Sequence, residues 1–145
     1  MKIQIYVEST LKRGKSDGVV VWLVEYLKDD TPITRQGFVH VENNTDAAGC
    51  LMGLINAFTI LKKPCEVKIF TECETIINTM SNSWQVQWKK NSWQNAKGKE
   101  VRNRELWEML DNKMSPHTYS ITDEPNEYRN YLKQIAEKES RGWKE

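Results

Sequence analysis

Trp84-Gln85-Val86-Gln87-Trp88-Lys89-Lys90-Asn91-Ser92-Trp93 is the stretch from which the rest of this chain is best approached. It holds three of the chain's six tryptophans and runs into a basic tract. Across residues 84–104 there are six basic side chains, Lys89, Lys90, Lys97, Lys99, Arg102 and Arg104, against the single acid Glu100, so the window carries +5. The whole chain carries +1, which leaves −4 for the remainder. Basic side chains interleaved with aromatic ones neutralise phosphates and pack against sugars or bases. The same pattern also describes a solvated amphipathic helix whose tryptophans anchor it to a core. Taken alone, the segment leaves both readings open.

The surroundings narrow the choice. A chain of 145 residues, 39% hydrophobic and 28% charged, is expected to form one globular domain over residues 1–145 and to bury a substantial core. No apolar run approaches the roughly 18 residues that a membrane span needs. The first ten residues read as a charged strand rather than a signal peptide. Cys50, Cys65 and Cys73 have no metal-ligand spacing and predict buried free thiols in a reducing, cytoplasmic setting.

Ile3, Ile5 and Val7 alternate with polar residues and predict a first strand. Residues 11–18, with two glycines, predict a turn, and residues 19–27 a second strand. Asp29-Asp30-Thr31-Pro32 predicts a turn before a third strand over 34–41. Connections this short make the three strands an antiparallel meander. Asn43, Asn44 and Thr45 are capping types ahead of a helix in which Ala47, Ala48, Leu51, Leu54, Ile55 and Phe58 recur at spacings of three and four. Gly49 and Gly53 allow that helix to pack closely on a sheet. A short strand is predicted over 67–71, helices over 75–80, 84–90 and 102–114, a last strand over 117–122, and a last helix over about 126–140.

This order, βββαβα(αα)βα, together with its particular residues, resembles the type 1 ribonuclease H family over almost the whole chain. Asn43-Asn44 are similar to the family's paired asparagines ahead of its first helix. Phe70-Thr71-Glu72-Cys73 is similar to the family's Thr-Asp-Ser at the end of the fourth strand. Residues 84–93, with Val101-Arg102-Asn103-Arg104-Glu105-Leu106-Trp107, resemble its basic protrusion, or handle, and the helix that follows. The resemblance implies an α/β fold with a mixed five-stranded sheet and a basic handle, and places Glu8 and Glu72 on adjacent central strands.

The family hydrolyses the RNA strand of RNA–DNA hybrids with two Mg²⁺ ions clamped by four carboxylates, in the order Asp, Glu, Asp, Asp. Matched position by position, those four places are held here by Glu8, Ala47, Glu72 and Asn130. Two carboxylates are absent, and the other two are each longer by about 1.5 Å, one carbon–carbon bond. A hard dication needs a tight oxygen cluster, so any Mg²⁺ or Mn²⁺ held by Glu8 and Glu72 is expected to be weakly bound. Asp46 is the candidate substitute, although adjacent helical positions differ by about 100°. The histidine-bearing loop of many family members is shortened here to Thr122-Asp123-Glu124-Pro125.

By the same resemblance Asn43 and Asn44 would meet base edges and RNA 2′-hydroxyls. Trp84, Trp88, Lys89, Lys90, Trp93, Lys97, Lys99 and Arg102 would form the handle's nucleic-acid surface. The basic turn Lys12-Arg13-Gly14-Lys15 could touch a phosphate. Three functions fit these residues: a domain that binds hybrid or related duplex with little or no hydrolysis, a divergent active ribonuclease H, or a structural domain whose handle meets a partner protein. Fold resemblance alone does not choose among them.

Overall fold

The computed structural model describes residues 1–143. Its sheet has five strands in the order β3-β2-β1-β4-β5. These are β1 (Lys2–Ser9), β2 (Ser16–Lys28), β3 (Thr31–Asn44), β4 (Glu66–Phe70) and β5 (Thr118–Thr122). β1–β2 and β2–β3 are antiparallel, whereas β1–β4 and β4–β5 are parallel. The helices are α1 (Asp46–Ile60), α2 (Glu74–Ser81), α3 (Trp84–Lys90), α4 (Arg104–Met114) and α5 (Arg129–Gly142). The mixed sheet, the element order and the handle are those expected from the sequence.

Strand alternation sends alternate side chains to two cores. Ile3, Ile5 and Val7 of β1 pack with Leu51, Leu54 and Phe58 of α1 and with Trp107 and Leu110 of α4. Tyr6 faces the other way and joins Val19, Val21, Leu23 and Phe70 beneath Leu132 and Ala136 of α5. β1 is therefore covered on both faces. Close approach of α1 to the sheet explains its glycines: a Cβ on Gly53 would stand 2.9 Å from Val20 Cγ1, and one on Gly49 2.8 Å from Val20 Cγ2.

Several boundaries differ from expectation. The β2–β3 turn is Asp29-Asp30 alone, both at positive φ (52° and 66°), the geometry of a tight two-residue hairpin. Thr31 and Pro32 belong to β3, where an edge position tolerates proline. Thr45, rather than either asparagine, caps α1, its Oγ1 accepting from Ala48 N at 3.1 Å. α4 starts at Arg104 and α5 at Arg129, because residues 102–103 and 127–128 are turns. No helix among the described residues is long and apolar enough to cross a membrane.

Candidate active site and groove

Parallel pairing of β1 and β4 sets Tyr6 beside Phe70. Two residues further along each chain, Glu8 and Glu72 emerge together at the same end of the sheet. Their carboxylates interact directly. Glu8 is buried and Glu72 half-exposed. Across from them stands the first turn of α5. Arg129 Nε is 3.5 Å from Glu8 Oε2 and 3.6 Å from Glu72 Oε1, and Lys133 Nζ is 2.7 Å from Glu72 Oε1. Arg129 and Lys133 are four residues apart, so one face of the helix presents both cations. Nη2 of Arg129 also donates to the carbonyls of Asp123 and Glu124 at 3.0 and 3.1 Å, which fixes the guanidinium from behind.

Burial pushes the Glu8 carboxyl up to about 7, reinforced by the hydrogen bond and charge of Glu72 and opposed by Arg129 and Lys133. Glu72 moves the other way: its hydrogen bond from Lys133 is the leading cause of a lowered pKa.

The matched positions are not brought together as a quartet. Asp46 lines a small cavity of about 130 Å³ with Glu8 and Glu72 and also borders the larger groove, whereas Ala47 lines the groove alone. Asn130 is exposed and lines neither; the start of α5 turns Arg129 to the carboxylates instead. Among the described residues, no group of three or more His, Cys, Asp or Glu side chains is arranged to hold a metal ion. A dication clamp needs converging oxygens around an uncompensated negative charge. Here two fixed cations already neutralise the pair that would begin it. The residues present do not fit a two-Mg²⁺ centre. Sequence matching located Glu8 and Glu72 but missed Arg129 and Lys133, whose i, i+4 spacing was the available signal.

Beside this cluster runs a groove of about 1010 Å³. It is lined by Lys12, Arg13 and Lys15 from the loop before β2, by Asn44 to Ala47 with the start of α2, and by Trp88, Arg102 and Trp107. Asn44 Oδ1 accepts from Thr45 N at 2.8 Å, and Asn43, at φ 44°, donates its backbone N–H to Asp17 Oδ1 at 2.7 Å.

The handle splits into a docked part and a free part. Gln85 is buried and donates to Tyr119 Oη at 2.6 Å. Trp88 packs edge-on against Trp107, with centroids 5.9 Å apart. Trp93 is buried in the main core, because Ser92 and Trp93 both take positive φ (55° and 60°) and turn the chain inward. Its indole faces protein rather than a ligand surface, unlike the half-exposed Trp84. Lys89 is paired with Asp111 at 2.8 Å, and Arg104 with Glu108 at 2.8 Å. Lys90, Lys97, Lys99 and Arg102 are exposed and make no ion pair among the described residues.

The family model for RNase H matches residues 2–123. The chain belongs to the ribonuclease H family. It is 29% identical over 145 residues to the ribonuclease H of Clostridium botulinum (strain Hall), covering 93% of each chain. Its fold is similar to that of LC9-RNase H1, a type 1 RNase H with the type 2 active-site motif, at TM-score 0.77 and 18% identity over 97% of this chain and 72% of that one. It is also similar to LC11-RNase H1 in complex with RNA/DNA hybrid, at TM-score 0.62 and 13% identity over 94% and 95% of the two chains. The ribonuclease H fold thus carries, in this chain, an ion-paired cluster at the end of its central strands.

Proposed function

We propose that this chain is a ribonuclease H domain that binds RNA–DNA hybrid, or a related duplex containing RNA, with hydrolysis lost or strongly reduced. The observation that carries the loss is the pairing of Arg129 and Lys133 with Glu8 and Glu72. Binding is supported by the groove, which is lined by Lys12, Arg13 and Lys15 of one segment and by Arg102 of another. Basic side chains from two separate segments of one groove suit a backbone with phosphates on both strands. Asn44 lines the groove with its Oδ1 engaged, which leaves its amide N–H groups to donate to a 2′-hydroxyl. The hybrid complex of LC11-RNase H1 supports the same class of ligand.

One observation favours a second reading. Asp46 faces the same small cavity as Glu8 and Glu72, so a weak metal-dependent hydrolase built on these three acids is the alternative. The deciding experiment is a hybrid cleavage assay with Mg²⁺ and with Mn²⁺, run beside a binding titration of the same hybrid. The expected outcome is salt-dependent binding without appreciable cleavage. Turnover that disappears in Glu72→Gln establishes the hydrolase instead. Absence of binding at about 100 μM in low salt, weaker than ordinary non-specific affinity, makes the handle a protein-facing surface.

A further inference from the structure

Two buried thiols lie directly beneath the cluster and take no part in the proposed function. Cys50 is on α1 and Cys73 is the N-cap residue of α2. Both line the small cavity that also holds Glu8 and Glu72. The two thiols perturb each other's ionisation, Cys50 being pushed up and Cys73 down. A single hydroxyl holds the two in place: Thr71 Oγ1 is 3.7 Å from Cys50 Sγ and accepts the Cys73 backbone N–H at 3.3 Å. Cys73 stands at the N-terminal end of α2 as its N-cap residue, beside Asp46, which lines the same cavity.

Access is unequal. Cys50 is 1% exposed, whereas Cys73 is 8% exposed and borders both the small cavity and the large groove. Cys65 provides the contrast. Its thiol donates to the Lys63 carbonyl at 3.0 Å and has no thiol neighbour among the described residues. A soft-metal site is not the better reading, because no third ligand joins the two sulfurs among the described residues.

We propose that Cys50 and Cys73 are a redox-reactive pair that closes to an intramolecular disulfide on exposure to a hydroperoxide, with Cys73 the attacking sulfur and Cys50 the resolving one. In the first step Cys73 sulfur attacks one oxygen of hydrogen peroxide. The S–O bond forms, the O–O bond breaks, and the thiol proton leaves with the departing hydroxide as water. In the second step Cys50 sulfur attacks the sulfenic sulfur of Cys73. The S–S bond forms, the S–O bond breaks, and the Cys50 proton leaves with the oxygen as a second water. Two thiols lose two electrons and one peroxide gains them. Both cysteines border one cavity of about 130 Å³ and both meet Thr71 Oγ1, so closing the bridge asks for adjustment around that hydroxyl rather than rearrangement of the fold. The product ties α1 to the segment that carries Glu72.

The test is a peptide map of the reduced native protein treated with hydrogen peroxide, alkylated and digested without reductant. The expected product is a linked Cys50–Cys73 peptide, two hydrogens lighter than the sum of its parts and restored by dithiothreitol, with Cys65 alkylated. In Cys50→Ser, which lacks the resolving sulfur, the Cys73 sulfenic acid persists and dimedone captures it. Recovery of Cys50 and Cys73 as alkylated thiols after peroxide overturns the proposal. So does cross-linking that occurs only through Cys65 or only between chains. The wild-type map decides by itself, so the result stands even if the variant folds poorly.

Discussion

Arg129 Nε stands 3.5 Å from Glu8 Oε2, and neither atom makes a hydrogen bond. The two are joined by charge alone, across a gap that a better-placed pair would close. The guanidinium does not depend on Glu8 for its position, because the Asp123 and Glu124 carbonyls hold it through Nη2. Glu8, in turn, is buried strongly enough that its carboxyl titrates at about 7 even with this cation beside it. Near neutral pH the carboxyl is therefore about half protonated. Two devices lower the charge at the end of the central strands: fixed cations and a carboxyl that surrenders its own charge.

The pH dependence of stability follows with a definite sign. Glu8 rises from 4.5 to about 7 on folding, so between these values the folded state holds a proton that the unfolded state has released. Stability must fall as pH rises through this window. The interval is worth about 3 kcal/mol at 1.36 kcal/mol per unit. Glu72 is shifted downward, so its contribution is present above its unfolded pKa and is lost only at lower pH, outside this window. Glu8→Gln should flatten the decline and exceed the wild type in stability at about pH 8. Urea unfolding at several pH values checks it; parallel curves for the two proteins would contradict the assignment.

Arg129→Ala should act most strongly when Glu8 is ionised. Removing one partner of a buried pair commonly costs 3–5 kcal/mol, but Glu8 escapes part of that by protonating, so about 2 kcal/mol is expected at about pH 8 and less at about pH 6. Equal losses at both pH values would show that the contacts to the two carbonyls, rather than Glu8, carry the effect.

Arg129→Ala combined with Lys133→Ala strips both cations from Glu8 and Glu72. Weak Mn²⁺ binding should then appear by calorimetry or electron paramagnetic resonance where the wild type shows none. A double variant as indifferent to Mn²⁺ as the wild type would mean that the longer glutamates misplace their oxygens even when unopposed. Restoring a hydrolase would then need the shorter Asp side chains as well.

The antiparallel meander of β1, β2 and β3 was legible because alternation and short connections leave few alternatives. The adjacency of β1 and β4, which brings Glu8 and Glu72 together, was implied by the resemblance to the ribonuclease H family and not by periodicity. The start of α5 was not. Asn126 and Pro125 both signal a helix start, but the chain spends residues 127–128 in a turn, with Asn126 Oδ1 accepting from Tyr128 N at 3.0 Å. The helical face that meets the carboxylates is therefore set by tertiary packing: Tyr128, one residue earlier, donates to the buried Glu25 of β2. That anchor turns Arg129, rather than Asn130, to Glu8. In the handle, composition suggested an aromatic surface at Trp93, and two consecutive residues of positive φ reversed it.

Trp93→Ala should consequently act on folding first. A buried indole replaced by alanine commonly costs 3–5 kcal/mol, and Trp93 packs in the main core. Trp84→Ala, on the exposed face of α3, should leave stability nearly unchanged. Thermal denaturation of the two variants separates these outcomes, and a small loss for Trp93→Ala would return that side chain to the ligand surface.

The salt dependence of binding should divide the basic residues by their existing partners. Each phosphate contact contributes about −0.9 to the slope of log affinity against log salt on a duplex. Lys97 and Lys99 project from a loop whose backbone is held by Asn95 Oδ1, which accepts from both of their N–H groups at 2.9 and 3.1 Å. They carry no ion pair among the described residues, so replacing both by Ala should remove about 2 from the slope if both meet phosphates. Lys89 must first give up Asp111 at 2.8 Å, and Lys89→Ala should change the slope by less than one contact. Lys12, Arg13 and Lys15 line the groove from the loop before β2, so replacing them together tests whether the duplex enters it. A loss of about 2 to 3 from the slope places phosphates on that loop as well as on the handle, as a duplex seated in the groove requires. An unchanged slope would put the ligand on the handle alone. Asn44→Ala belongs in the same titrations: it should leave the slope alone and narrow the preference for hybrid over DNA duplex, because a neutral amide reads a 2′-hydroxyl without neutralising a phosphate.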